Sequence, residues 1–249
     1  MQRFPGNGRG HVFAGTWILA ALGIAILLVG TPSATAAVSP AGTSVHTAPY
    51  SGAESASFIG EPIGCGGSLS LPVLPYLNMT SGQAFESIQT SAKSCGTTNT
   101  TVYLESATGF TSTPFTTSAE LHRLSANWML NFTVKLVAKP GASQSARAQF
   151  AVYFEFQLID RTTETMYYQN NYPELYSIVS SGTYSHTYTS VSESVYLNAT
   201  LVKGHSYEYV VQALAAVEVF VMHGTSSASA SVNMGSAGRN AFLASVTRT

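Results

Sequence analysis

Between Trp128 and Leu158 the chain alternates between apolar and polar residues in two long runs. Trp128, Leu130, Phe132, Val134 and Leu136 fall on one side, and Asn127, Met129, Asn131, Thr133 and Lys135 on the other. A period of two belongs to a half-buried strand, so this run predicts one. After Lys139-Pro140-Gly141 and a polar loop, Phe150, Val152, Phe154, Phe156 and Leu158 alternate with Gln149, Ala151, Tyr153, Glu155 and Gln157. The two runs are expected to form a long antiparallel pair whose apolar sides organise a core.

Further along, Tyr184, His186 and Tyr188 share one parity, but Val191, Val195, Leu197, Ala199 and Leu201 share the other. A strand cannot change its buried face without an extra residue, so a bulge or turn is expected within residues 189–194. A third alternation runs from Tyr207 through Val211, Ala213 and Ala215 to Val221, and a thin fourth one places Ala228, Ala230, Val232 and Met234 opposite Ser227, Ser229, Ser231 and Asn233. No helical period follows residue 37. The fold class expected is all-β, an antiparallel β-sandwich of Ig-like, fibronectin-like or jelly-roll-like type, preceded by an N-terminal signal or anchor helix. An outer-membrane barrel fits less well, because the outward positions are rich in Ser and Thr where lipid demands apolar side chains.

The segmentation follows from these patterns. Residues 1–36 read as a signal peptide or an uncleaved membrane anchor. Arg3 and Arg9 precede the apolar run Val12 to Gly30, Pro32 ends it, and Ala34-Thr35-Ala36 supplies small residues for a cut after Ala36. The run has 19 residues, longer than a removable signal usually is and nearly enough to span a bilayer as a helix, so the anchor reading stays open. A pilin-like filament subunit is a minor alternative, because Arg9-Gly10 before the apolar run resembles the cut site of archaeal pilin and archaellin precursors; Pro32 and Pro40 would stop that helix early. Residues 37–57 are expected to be a flexible linker, 58–100 an irregular β segment containing Cys65 and Cys95, 101–236 the sandwich core and 237–249 a tail.

Leu201-Val202-Lys203-Gly204-His205-Ser206-Tyr207, followed by Tyr209, Val211 and Ala213, resembles the corner between the fifth and sixth strands of fibronectin type III and related sandwich domains. The resemblance implies that the Leu closes the core, the Gly permits the turn and the Tyr hydroxyl bonds back to the backbone. Lys203 stands where that family usually has Pro. The likeness covers about 13 residues of 249 and implies no activity.

Composition narrows the function classes. Charged residues make up 9% of the chain and the formal net charge is -1, against roughly 25% charged in an ordinary soluble domain. Ser and Thr, about a quarter of the residues, take their place. With no dense run of Lys or Arg, nucleic acid is not expected as a partner, nor is a membrane except through the N-terminal segment. Cys65 and Cys95 lie in the exported part and are expected to form a disulfide. Asn78, Asn99, Asn131 and Asn198 each begin an Asn-X-Thr sequon and are candidate glycosylation sites.

Catalytic signatures are lacking. Asp160 is the one Asp of the chain and is expected to cap a turn, pairing with Arg161 or bonding to Thr162. Glu155, Glu193, Glu208 and Glu218 sit on or beside strands and read as a solvated face. The six histidines, His11, His46, His122, His186, His205 and His223, lie singly, so no metal and no cofactor is expected. The remaining candidate is aromatic: Tyr184, His186 and Tyr188 on one strand face are suited to stacking on a sugar and hydrogen bonding to its hydroxyls. The sequence therefore points to an exported, cell-surface β-sandwich protein with a structural or adhesive role and no catalysis, partnered by glycans or other surface proteins. A carbohydrate-binding module using the Tyr184, His186, Tyr188 face is the alternative.

Overall fold

A computed structural model describes residues 37–39, 44–117, 123–171, 175–236 and 238–249. The expected signal or anchor, His11 and His122 lie outside the described residues. The described residues form strands and connections without a helix: β1 (Ala37–Ser39), β2 (Ser44–His46), β3 (Gly52–Ile63), β4 (Gly67–Asn78), β5 (Gln83–Lys93), β6 (Thr100–Ser112), β7 (Phe115–Thr117), β8 (Arg123–Lys139), β9 (Ala146–Asp160), β10 (Thr165–Asn171), β11 (Tyr176–Val179), β12 (Gly182–Asn198), β13 (Ser206–Val221), β14 (Ser227–Asn233) and β15 (Ala241–Arg248).

The strands make two sheets. In the first, β3, β6, β13 and β9 lie side by side, β10 and β11 both pair with the far side of β9, and β7 extends the line of β6 along β13. In the second, β12 lies beside β8, then β14 and β15 end to end, then β5 and β4, with β2 on β15. Every pairing is antiparallel except the short contact of β1 with β7.

The two long alternating runs are β8 and β9, but they belong to different sheets and are not paired with each other. Their inward side chains meet across the core instead: Trp128 stacks on Phe154 with ring centroids 5.6 Å apart, and Phe132 meets Phe150 edge-on at 6.3 Å. The expected antiparallel pair is thus corrected to two strands facing each other. Alternation alone specifies which side is buried and leaves the neighbour open.

The bulge expected within residues 189–194 is present. Tyr188 pairs with Phe132 and Val191 with Leu130, so β12 spends three residues where β8 spends two. Ser190 takes the left-handed conformation, φ 53°, and its N–H donates to Asn131 Oδ1 at 2.9 Å. The extra residue turns Val195 and Leu197 into the core.

Three segment expectations are corrected. Residues 37–57 are not all linker, for they supply β1, β2 and the start of β3. Tyr50 is buried, stacks on Phe110 at 4.7 Å and donates its hydroxyl to Leu243 O at 2.9 Å. Residues 58–100 contain the regular strands β4 and β5. Pro72 and Pro75 are tolerated because β4 is an edge strand, pairing only with β5, and its register shifts beside both prolines. The tail is β15, hydrogen-bonded to β8 with a register shift between Leu243 and Ser245. That shift moves the buried parity from Ala241 and Leu243 to Val246 and Arg248, which hides the strand from a period-two reading.

Cys65 lies in the turn from β3 to β4 and Cys95 just after β5, and the two are joined with Cα atoms 5.9 Å apart. Both connections pass from one sheet to the other, so the bond ties two crossovers together.

Candidate functional site

β12 forms one edge of the second sheet, and the expected aromatic face is found there. Tyr184 Oη lies 3.2 Å from Tyr188 Oη, and the His186 ring meets Tyr188 at 4.5 Å and Tyr184 at 6.1 Å. The three side chains are brought together as a triad. They do not present three free ring faces, however, because Tyr188 stacks flat on Phe132 at 4.4 Å and abuts Phe150 at 6.1 Å. Both tyrosines are half-buried against the core and His186 is exposed. Burial, reinforced by the bond to Tyr184, raises the Tyr188 phenol above its ordinary range, so its hydroxyl is held in the neutral form.

A second cluster lies on the side of the first sheet turned away from the shared core. Tyr153 donates to Glu105 Oε2 at 2.6 Å, and Tyr103 donates to the same oxygen. Gln157 donates to Glu155, Gln149 donates to Glu218 at 2.9 Å, and Arg147 pairs with Glu218 at 2.9 Å. Ala107, Leu214 and Ala216 are buried beside Tyr153. Glu155 and Glu208 are buried as well, so the expectation of a solvated face fails for both. Burial raises the carboxyl of Glu155, with the charge of Glu105 adding to it and the bond from Gln157 opposing it. These carboxylates are spread along three strands in separate hydrogen-bonded groups, an arrangement that stiffens the sheet face.

The corner at the start of β13 carries a third cluster. Asp160 Oδ1 accepts the N–H groups of Thr162 at 2.8 Å and Thr163 at 3.3 Å, and His205 Nδ1 donates to Asp160 Oδ2 at 2.8 Å. Asp160 therefore caps the turn and bonds to Thr162 as expected, while Arg161 pairs with Glu208 at 3.0 Å instead. Burial alone would raise the Asp160 carboxyl, but the bonds from His205, Thr162 and Thr163 outweigh it and hold the group below its ordinary value. Tyr207 Oη accepts the N–H of Val202 at 2.7 Å, the backward bond that the resemblance to the fibronectin-type corner implies.

Of the sequon residues, Asn78, Asn99 and Asn198 are exposed and Asn131 is half-buried within β8. Asn78 Oδ1 accepts the N–H of Thr80 at 3.0 Å, a turn closed by the third residue of its own sequon. Asn99 accepts from His223 N at 3.2 Å, and Asn131 is engaged with Ser190. Among the described residues, no group of three or more His, Cys, Asp or Glu side chains is placed to hold a metal ion.

Sequence reasoning missed Glu86 of β5, which is 1% exposed inside the core. The signal was there, since Glu86 shares parity with Ala84, Ile88 and Ala92. It also missed the two phenols gathered on Glu105, Tyr103 of its own strand and Tyr153, which lies 48 residues from Glu105 on β9.

The chain matches no protein-family model, no curated protein and no solved structure.

Proposed function

We propose that this is an exported, cell-surface β-sandwich protein with a structural or adhesive role and no catalytic step of its own. The observation that carries this reading is the disulfide between Cys65 and Cys95, which bridges two of the connections between the sheets. Disulfides persist in oxidising, extracytoplasmic compartments. The N-terminal apolar run, read as a signal or anchor, and the neutral Ser/Thr-rich outward positions support the same compartment. The exposed sequons at Asn78, Asn99 and Asn198 are suited to carry glycans. An Ig-like or fibronectin-like arrangement of the two sheets is favoured by the bond from Val202 N to Tyr207 Oη. Screening the full-length protein against ester, peptide and glycoside substrates tests the non-catalytic part. No turnover is expected, and turnover lost on Glu155→Gln would overturn it.

A second reading, a carbohydrate-binding module, is favoured by the paired hydroxyls of Tyr184 and Tyr188 beside the exposed His186. A glycan array is the test. Binding abolished by Tyr184→Ala and retained in Tyr176→Ala would establish this edge as the site, and binding that survives the loss of Tyr184 and Tyr188 together would exclude it.

A further inference from the structure

Glu86 lies where the second sheet changes strands. Its backbone exchanges hydrogen bonds with Met234 at the end of β14, while β15 begins its pairing two residues away, at Ala84. The side chain turns to the first sheet, where Ser106 Oγ of β6 donates to Glu86 Oε2 at 2.7 Å. The other oxygen, Oε1, is buried without a hydrogen-bond partner, as is Thr108 Oγ1 two residues along β6 from Ser106. A carboxylate in this position would hold a full charge out of water on a single hydrogen bond, a cost of several kcal/mol. A neutral acid avoids that cost and turns one of its oxygens into a donor.

We propose that Glu86 is a proton-operated latch between the two sheets: as a neutral acid it joins β5 to β6, and loss of its proton loosens that contact together with the β14–β15 junction beside it. Among the described residues, no cation faces the Glu86 carboxyl. Glu54 of β3 accepts the N–H of Leu77 at 2.9 Å, Glu105 of β6 is two phenols' acceptor on the opposite face of its strand, and Tyr76 of β4 stacks on Phe85. β13 brings Ala213 and Ala215 to the core side, β14 brings Val232 and β15 brings Ala241. Lys93 is exposed at the far end of β5, and Arg248 lies at the far end of β15 over the Phe115 ring. Burial, opposed by the Ser106 bond and reinforced by the charge of Glu105, pushes the Glu86 carboxyl up to about 8. The folded-state value is thus raised above the unfolded one. The stability this group contributes is complete below the ordinary carboxyl range and is lost as pH rises through about 8. The latch is closed in acid and open in alkali, and it rests on packing alone, independently of the export reading.

The experiment follows the thermal midpoint of the full-length protein and of Glu86→Gln between pH 5 and pH 9. The wild type is expected to lose roughly 10 °C over that range and Glu86→Gln less than half as much. Equal losses in the two proteins would overturn the latch. Should Glu86→Gln fail to fold, the carbon-13 shift of the Glu86 carboxyl in the wild type decides alone. A neutral acid at pH 6 that titrates near pH 8 supports the latch, and an ionised carboxylate at pH 6 refutes it.

Discussion

The phenolic oxygen of Tyr207 accepts the backbone N–H of Val202, five positions earlier, at 2.7 Å, closing the corner from inside the core. Tyr207 itself is fully buried, its ring 6.0 Å from Phe115. Tyr207→Phe keeps the ring and removes the acceptor, so it is expected to cost about 0.5–1.5 kcal/mol, the net worth of a typical hydrogen bond. Urea unfolding at pH 7 measures this. An unchanged midpoint would show that the corner is held by ring packing alone.

The left-handed Ser190 gives a second prediction. A side chain at φ 53° is strained, and glycine is not. Ser190→Gly is expected to raise stability by up to about 1 kcal/mol, and Ser190→Val to lower it by about 1–2 kcal/mol. Deleting Ser190 leaves Tyr188 and Val191 two positions apart against Phe132 and Leu130, so Val195 and Leu197 keep their core-facing parity without a bulge and the fold is expected to be retained. Circular dichroism and thermal midpoints of the three variants check the order.

Parity made this bulge legible. Where an alternation is long and its side chains large, as in β8, β9 and β13, the chain announces both the strand and its buried face. Partner choice is not announced in the same way, because period two is identical for a strand beside a neighbour and one across the core. β15 escaped because its own bulge breaks the alternation within eight residues, and Tyr50 because one aromatic in a small, polar stretch carries no period. Tyr184, His186 and Tyr188 were legible as a cluster, since side chains two apart share a face. Their half-burial depends on Phe132 and Phe150, which only the folded chain brings to them. Glu155 and Glu208 were read as solvated because polar residues on a strand usually are, whereas β13 and part of β9 are buried on both faces.

The crossovers tied by Cys65 and Cys95 supply a third prediction. Closing a loop of 30 residues stabilises the fold by about 3–4 kcal/mol in the loop-entropy account. Replacing both cysteines by Ala should therefore lower the thermal midpoint by roughly 10 °C. A loss no larger than that of an exposed single substitution would show that the crossovers hold their positions without the bond.

Acid acts on Asp160 in the opposite sense to Glu86. Its folded-state value is depressed, so its contribution is present above the ordinary carboxyl range and is lost as pH falls through the folded value. The stability profile should pass through a maximum on the acid side of neutrality and fall at still lower pH. Asp160→Asn, which keeps the acceptor for Thr162 but loses the charge facing His205, is expected to flatten that acid limb. Thermal midpoints from pH 2 to pH 6 provide the comparison, and parallel acid limbs in the two proteins would refute this role.

Export to the cell surface is decided by labelling intact cells with a membrane-impermeant amine reagent. Lys93, Lys135, Lys139 and Lys203 are all exposed, so a protein outside the membrane must react. Modification of these lysines on unbroken cells, at the level reached after lysis, is the predicted result. Modification seen only after lysis would rule out export.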